Sequence, residues 1–138
     1  MRRARRASAL TAVTAGLLAT VPFVTGAAEG GNECWSTVPI ELANEGVWKY
    51  FNRISWCARG SKVTSVEMVV THQVLNDACR WLGRVEKSDT PAKYGRTVYE
   101  QSRFECSGTA GSDGVNPWVV ATVRPDGTYT VDRSGIRW

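Results

Sequence analysis

Four cysteines, Cys34, Cys57, Cys79 and Cys106, divide the chain of 138 residues into stretches of similar length, and all four follow a leader suited to export. The leader opens on Met1-Arg-Arg-Ala-Arg-Arg6, a basic start with no acid. An apolar run through Leu17, Leu18, Val21, Phe23 and Val24 comes next, broken by Pro22 and Gly26 ahead of Ala27-Ala28. A positive region, an apolar region and small residues at the cut are the layout of a secretory signal peptide. Met1–Ala28 is therefore expected to be cleaved. The competing reading, a retained anchor, has the length to span a bilayer, but Ala, Thr and Gly dominate the segment and Pro22 interrupts it. Export places the cysteines where disulfides form and persist.

Removing the leader changes the charge balance. It holds four of the 17 basic residues and none of the 13 acidic ones, so the formal +4 of the whole chain belongs to it. Residues 29–138 carry equal numbers of both signs, which argues against nucleic acid as a partner, since binding phosphates needs a surplus of Lys and Arg. About 110 residues make one ordinary domain, large enough to bury roughly two-thirds of its unfolded surface. Disulfides reinforce such a core rather than replace it.

The remaining pattern is that of strands. In Val47–Trp56, Trp48, Tyr50, Ile54 and Trp56 fall on one face, with Lys49, Arg53 and Ser55 on the other. Ala58-Arg-Gly-Ser61 reads as a turn into Lys62–Val70, where Val66, Met68 and Val70 share a face. Ala92–Cys106 is a further strand region. Pro117–Arg124 and Thr128–Arg133 form a hairpin around Pro125-Asp126-Gly127, a type I turn with glycine in the left-handed position. Its pairing sets Val123 opposite Tyr129 and Ala121 opposite Val131. The inner face is then Val119, Ala121, Val123, Tyr129 and Val131, and Trp118, Thr122 and Thr130 face out.

Residues 71–87 admit two readings. A turn at Asn76-Asp77 followed by a strand puts Cys79, Trp81 and Val85 on one face and gives an all-β, disulfide-stapled antiparallel sandwich. A helix near 71–84, capped by Thr71, gives an α+β fold. The strand reading is preferred.

Residues placed symmetrically about a hairpin turn face each other across two strands. Cys34 and Cys57 are symmetric about Asn44-Glu-Gly46, and Cys79 and Cys106 about a point near Ala92, beside Asp89-Thr-Pro91. Cys57 and Cys79 are centred on Met68, in mid-strand. The expected pairs are Cys34–Cys57 and Cys79–Cys106. Four thiolates around zinc are disfavoured, because the intervening stretches of 22, 21 and 26 residues contain no close ligand pair. An even count in an exported chain leaves no nucleophilic cysteine.

No catalytic, metal or nucleotide motif stands out, and no cofactor is expected. The single histidine, His72, has no carboxylate or nucleophile at a telling spacing. Trp81 lies 24 residues after Cys57, which departs from the immunoglobulin pattern. The expected function is binding without catalysis, to a glycan or protein ligand, by a monomer with no membrane attachment once the leader is removed. The proposed surface combines Trp118, Thr122 and Thr130 with Asp113 and Asn116 from the glycine-rich loop Ser107–Asn116. The competing expectations are a small secreted hydrolase using carboxylates or His72, and a structural protein of the cell envelope. Intact mass of exported protein is expected to give a chain beginning at Ala28 or Glu29; a full-length, membrane-bound product would reject the signal peptide.

Overall fold

The computed structural model describes residues 31–107 and 115–138. The expected signal peptide, Met1–Ala28, and Asp113 of the expected binding loop lie outside the described residues. The described residues form eight strands: β1 (Glu33–Ser36), β2 (Ile40–Asn44), β3 (Trp48–Arg59), β4 (Lys62–Val74), β5 (Cys79–Ala92), β6 (Gly95–Cys106), β7 (Asn116–Val123) and β8 (Tyr129–Arg137). They form two antiparallel sheets. In sheet A, β3 is flanked by β4 on one side and by β1 and β2 in line on the other, while sheet B runs β5-β6-β7-β8. The two inner faces share one buried cluster, so the fold is the expected all-β sandwich.

Strand β3 is the spine. Its period-two pattern buries Trp48, Tyr50, Asn52, Ile54, Trp56 and Ala58 and turns the alternate residues outward. Burying one such large apolar side chain contributes about 1.5–3 kcal/mol. Its two ends carry separate aromatic clusters. At one end Trp48 stacks on Phe104 of sheet B at 4.5 Å, and Trp81 meets Phe104 edge-on at 4.9 Å. At the other, Trp56 packs edge-on against Tyr129 at 6.0 Å and donates its indole N–H to the carbonyl of Arg124, 2.8 Å away.

Between these ends the sheets are joined by a buried carboxylate. Glu100 of β6 has no exposed surface. The Tyr50 hydroxyl donates to it from sheet A, and the Ser102 hydroxyl donates at 2.5 Å from its own strand. Arg84 of β5 approaches it at 3.4 Å and donates from Nη2 to the carbonyl of Met68 in β4 at 2.6 Å. Met68 stands opposite Ile54, whose own N–H and C=O are engaged by Thr37 on the far side of β3. The Met68 carbonyl therefore points to the free edge of β4, and Arg84 closes the seam between the sheets. Removing one partner from a buried, charged cluster typically costs about 3–5 kcal/mol, because the remaining charge stays desolvated.

The helix alternative near 71–84 is corrected by the structure. Pairing of β4 with β3 continues to Val74, and the Asn76 side chain accepts the Ala78 N–H at 2.6 Å, which makes the turn into β5. Three finer expectations also change. Leu82 and Val85 are the extra residues of two bulges in β5, so period two fails there and Val85 is 58% exposed instead of sharing the buried face of Cys79. The β5–β6 turn falls at Lys93-Tyr94 rather than Asp89–Pro91; Pro91 lies inside β5, which tolerates it as an edge strand. Val131 is opposite Ala121 as expected, yet 41% exposed, because β8 is the other edge of sheet B and bulges at Asp132.

Burial and the neighbouring Glu100 both raise the Tyr50 hydroxyl above the ordinary phenol value of 10.0. The neutral phenol is thus the form the fold favours. Its contribution is complete below pH 10 and is lost above that, as the unfolded phenol releases its proton while the folded one holds it. Urea unfolding of Tyr50→Phe is expected to lose less stability than the parent between about pH 9 and pH 11; equal alkaline slopes would place the loss elsewhere.

Candidate functional site

The outer face of sheet B carries most of the residues expected at a binding site. Alternation along β7 buries Pro117, Val119, Ala121 and Val123 and turns Asn116, Trp118, Val120 and Thr122 outward. The register with β8 is as expected: Thr122 faces Thr130, Ala121 faces Val131 and Val123 faces Tyr129. The turn that sets it is closed by the Gly127 N–H on the Arg124 carbonyl at 3.2 Å and the Arg124 N–H on the Thr128 carbonyl at 3.0 Å. Gly127 has φ of 84°, and its α-carbon lies against the Trp35 indole, so a side chain would be both strained and obstructed. Thr128 bonds the Asp126 carboxylate through N–H and hydroxyl, which holds that carboxyl below its usual range.

The register extends the expected pair into a row. Thr90 on β5 faces Thr97 on β6, Thr97 faces Thr122 on β7, and Thr122 faces Thr130 on β8. Four threonines thus cross the sheet in one line. Thr97 and Thr122 share a hydroxyl–hydroxyl bond of 3.1 Å. Thr122 and Thr130 both donate to the Asp132 carboxylate, at 2.6 Å and 2.8 Å. Thr130 and Asp132 share this face by alternation, and the bulge at Asp132 puts Arg133, opposite Val120, on it as well. Parallel to the row run Ser88, Tyr99, Val120 and Arg133. The Tyr99 hydroxyl donates to Gln101, and burial raises its pKa above the ordinary phenol value.

Trp118 lies one row further along, between Gln101 and Gly135. It is half-buried, not freely exposed. Its indole rests on Gly135, where an added methyl would meet ring atoms at 3.1–3.2 Å, and the Arg137 guanidinium sits over the ring at 5.4 Å. Asn116 heads the same strand, opposite Arg137. Asn116, Trp118, Thr122 and Thr130 therefore share one surface. Thr90, Thr97, Tyr99, Arg133 and Arg137 belong to it as well and were not expected there. The signal for Thr90 and Thr97 was present in the sequence, as they are symmetric about Lys93-Tyr94. The Asp89–Pro91 placement of the turn concealed it.

His72 stands elsewhere. It pairs with Tyr50 across β3 and β4, is exposed, and stacks flat on Trp81 at 4.4 Å with an edge contact to Phe104. Its contacts are with rings, not with a carboxylate or hydroxyl. Among the described residues, no group of three or more His, Cys, Asp or Glu side chains is arranged to hold a metal ion. Among the same residues, no helix is long and apolar enough to cross a membrane.

Trp118→Ala removes a cross-strand contact on an outer face and leaves the core untouched. It is expected to cost about 0.5–1 kcal/mol in urea unfolding, with the sheet signal in circular dichroism retained. Global unfolding would assign the indole to the core.

No family model, no curated protein and no solved structure matches this chain.

Proposed function

We propose that the exported domain is a non-catalytic binding module that lays an acidic glycan chain across the outer face of sheet B. The observation that carries this reading is the row Thr90, Thr97, Thr122 and Thr130 running beside the two aromatic residues Tyr99 and Trp118. Sugar rings present apolar C–H faces and hydroxyl edges. Aromatic rings suit the first, and threonine hydroxyl oxygens, whose hydrogens are engaged within the row and by Asp132, accept from the second. A sheet face without a deep cleft matches an extended chain better than a small molecule.

The guanidiniums of Arg124, Arg133 and Arg137 outnumber the carboxylates of Asp132 and Glu86 on this face, which favours an acidic chain. Arg133 and Arg137 on β8 lie on this face, and Arg124 reaches the Thr130 hydroxyl at 3.4 Å. Arg137 already lies over Trp118, so a carboxylate or phosphate on the sugar would meet a guanidinium next to the stacking ring. The hydrolase reading has less behind it, because His72 is occupied by ring stacking and faces no acid partner.

Affinity electrophoresis through gels containing a polyuronate, with a neutral glucan gel as reference, tests the proposal. The parent protein is expected to be retarded by the polyuronate, and Trp118→Ala combined with Arg137→Ala to weaken retardation by about tenfold or more. No retardation in the polyuronate gel, or equal retardation of the folded variant, would overturn it.

A further inference from the structure

The two disulfides occupy different environments. Cys79–Cys106 lies on the inner face of sheet B, with its cysteines 7% and 5% exposed. Cys34–Cys57 joins β1 to β3 on the outer face of sheet A. Trp35 and Trp56 turn inward, so the adjacent cysteines turn outward, and Cys34 is exposed. Beside its sulfurs, Ser36, Ser55, Ser65 and Glu67 line an open depression of about 360 Å³. Thiol–disulfide exchange needs a thiolate to reach a sulfur atom, and exposed disulfides are the labile ones. A depression of about 440 Å³ also borders Cys79 and Cys106, but both of those cysteines are buried, so it is the exposure of Cys34 that separates the two bonds.

The segment held by this bond is also separable from the rest. Strand β1 is four residues long and pairs only with β3. Strand β3 keeps its pairing with β2 and β4 without it. Thr37 follows β1 immediately and is tied to Ile54 through its N–H at 2.9 Å and through its hydroxyl oxygen at 3.1 Å, which ends the separable stretch. Within the stretch, Trp35 packs on Trp56 at 6.0 Å and against Gly127.

We propose that Cys34–Cys57 is a thiol-exchange site, open to dithiol reductants in the folded protein and controlling the attachment of β1, whereas Cys79–Cys106 is a permanent staple. A dithiol attacks one of the two Sγ atoms as its thiolate. The Cys34–Cys57 bond breaks, a mixed disulfide forms, and the other cysteine leaves as a thiolate that takes a proton from water. The second thiol of the reductant then attacks, as its thiolate, the reductant sulfur of that mixed disulfide and expels the attached cysteine, which also takes up a proton. The protein is left with two thiols and the reductant with its own disulfide, so two electrons pass from the dithiol to the protein. A disulfide oxidant reverses the sequence.

The test treats native mature protein with dithiothreitol, quenches with iodoacetamide and maps the modified cysteines. Cys34 and Cys57 are expected to be alkylated together, at least about 100-fold faster than Cys79 and Cys106, with the sheet signal in circular dichroism unchanged. Tryptophan emission is expected to shift as Trp35 leaves Trp56 and to return on reoxidation. Simultaneous modification of all four cysteines, earlier modification of Cys79 and Cys106, or no modification until the chain unfolds would overturn the proposal. The double variant Cys34→Ser, Cys57→Ser is expected to keep the sheet signal and show no fast labelling. Fast labelling that persists in it, or loss of its sheet signal, would equally overturn it.

Discussion

The sandwich depends on one charge that has no contact with water. Glu100 receives the Tyr50 hydroxyl from the opposite sheet and the Ser102 hydroxyl from its own strand, and it faces the Arg84 guanidinium at the seam. A carboxylate in such a place is tolerated only when its oxygens are engaged, so these neighbours are coupled in position. Arg84, on a third strand, extends the coupling to a fourth through the Met68 carbonyl. The spacing and alignment of the sheets therefore answer to hydrogen-bond geometry at their centre, whereas apolar contact alone would leave them freer to slide.

The aromatic clusters at the two ends complete this arrangement. Trp48 with Phe104 and Trp81 closes one end, and Trp56 with Tyr129 and Trp35 closes the other. The second end does more than fill space. The Trp56 indole N–H holds the Arg124 carbonyl at the base of the β7–β8 turn, and Gly127 at its tip rests against Trp35. The turn is thereby pinned to sheet A, and the register of Thr122 with Thr130 is pinned with it. The hydroxyl row on the outer face is an indirect product of packing on the inner one.

Alternation also assigns the two disulfides their roles. Each joins neighbouring strands of a single sheet, so neither crosses the core between sheets. Placing one pair inward and the other outward gives two bonds of the same chemistry with different access to solvent. The inward pair tightens the β5–β6 hairpin beneath the aromatic cluster of Phe104. The outward pair secures a short edge strand that would otherwise rest on four pairings and one indole.

Much of this was determined by the sequence itself. The inward set of β3, the β7–β8 register and the Cys34–Cys57 pair follow from period two and from turn chemistry, because such signals act between residues close along the chain or symmetric about a turn, whereas Cys79 meets Cys106 about the Lys93-Tyr94 turn only because two bulges in β5 offset the register. The outward placement of Cys57 is contained in the same pattern, since it is the neighbour of Trp56. What only the tertiary structure decided lies where elements distant in sequence meet. Glu100 reads in the sequence as one ordinary surface acid among several, and its burial depends on Tyr50 and Arg84 arriving from two other strands. The bulges at Leu82, Val85 and Asp132 shift side chains from one face to the other, and although Gly83, with φ of 100°, stands at the first, no glycine or proline marks the other two. The four-threonine row needs three separate strand pairings to be in register at once. Local symmetry specifies Thr122 with Thr130 and, about Lys93-Tyr94, Thr90 with Thr97, whereas the pairing of Thr97 with Thr122, 25 residues apart, was decided by the tertiary structure.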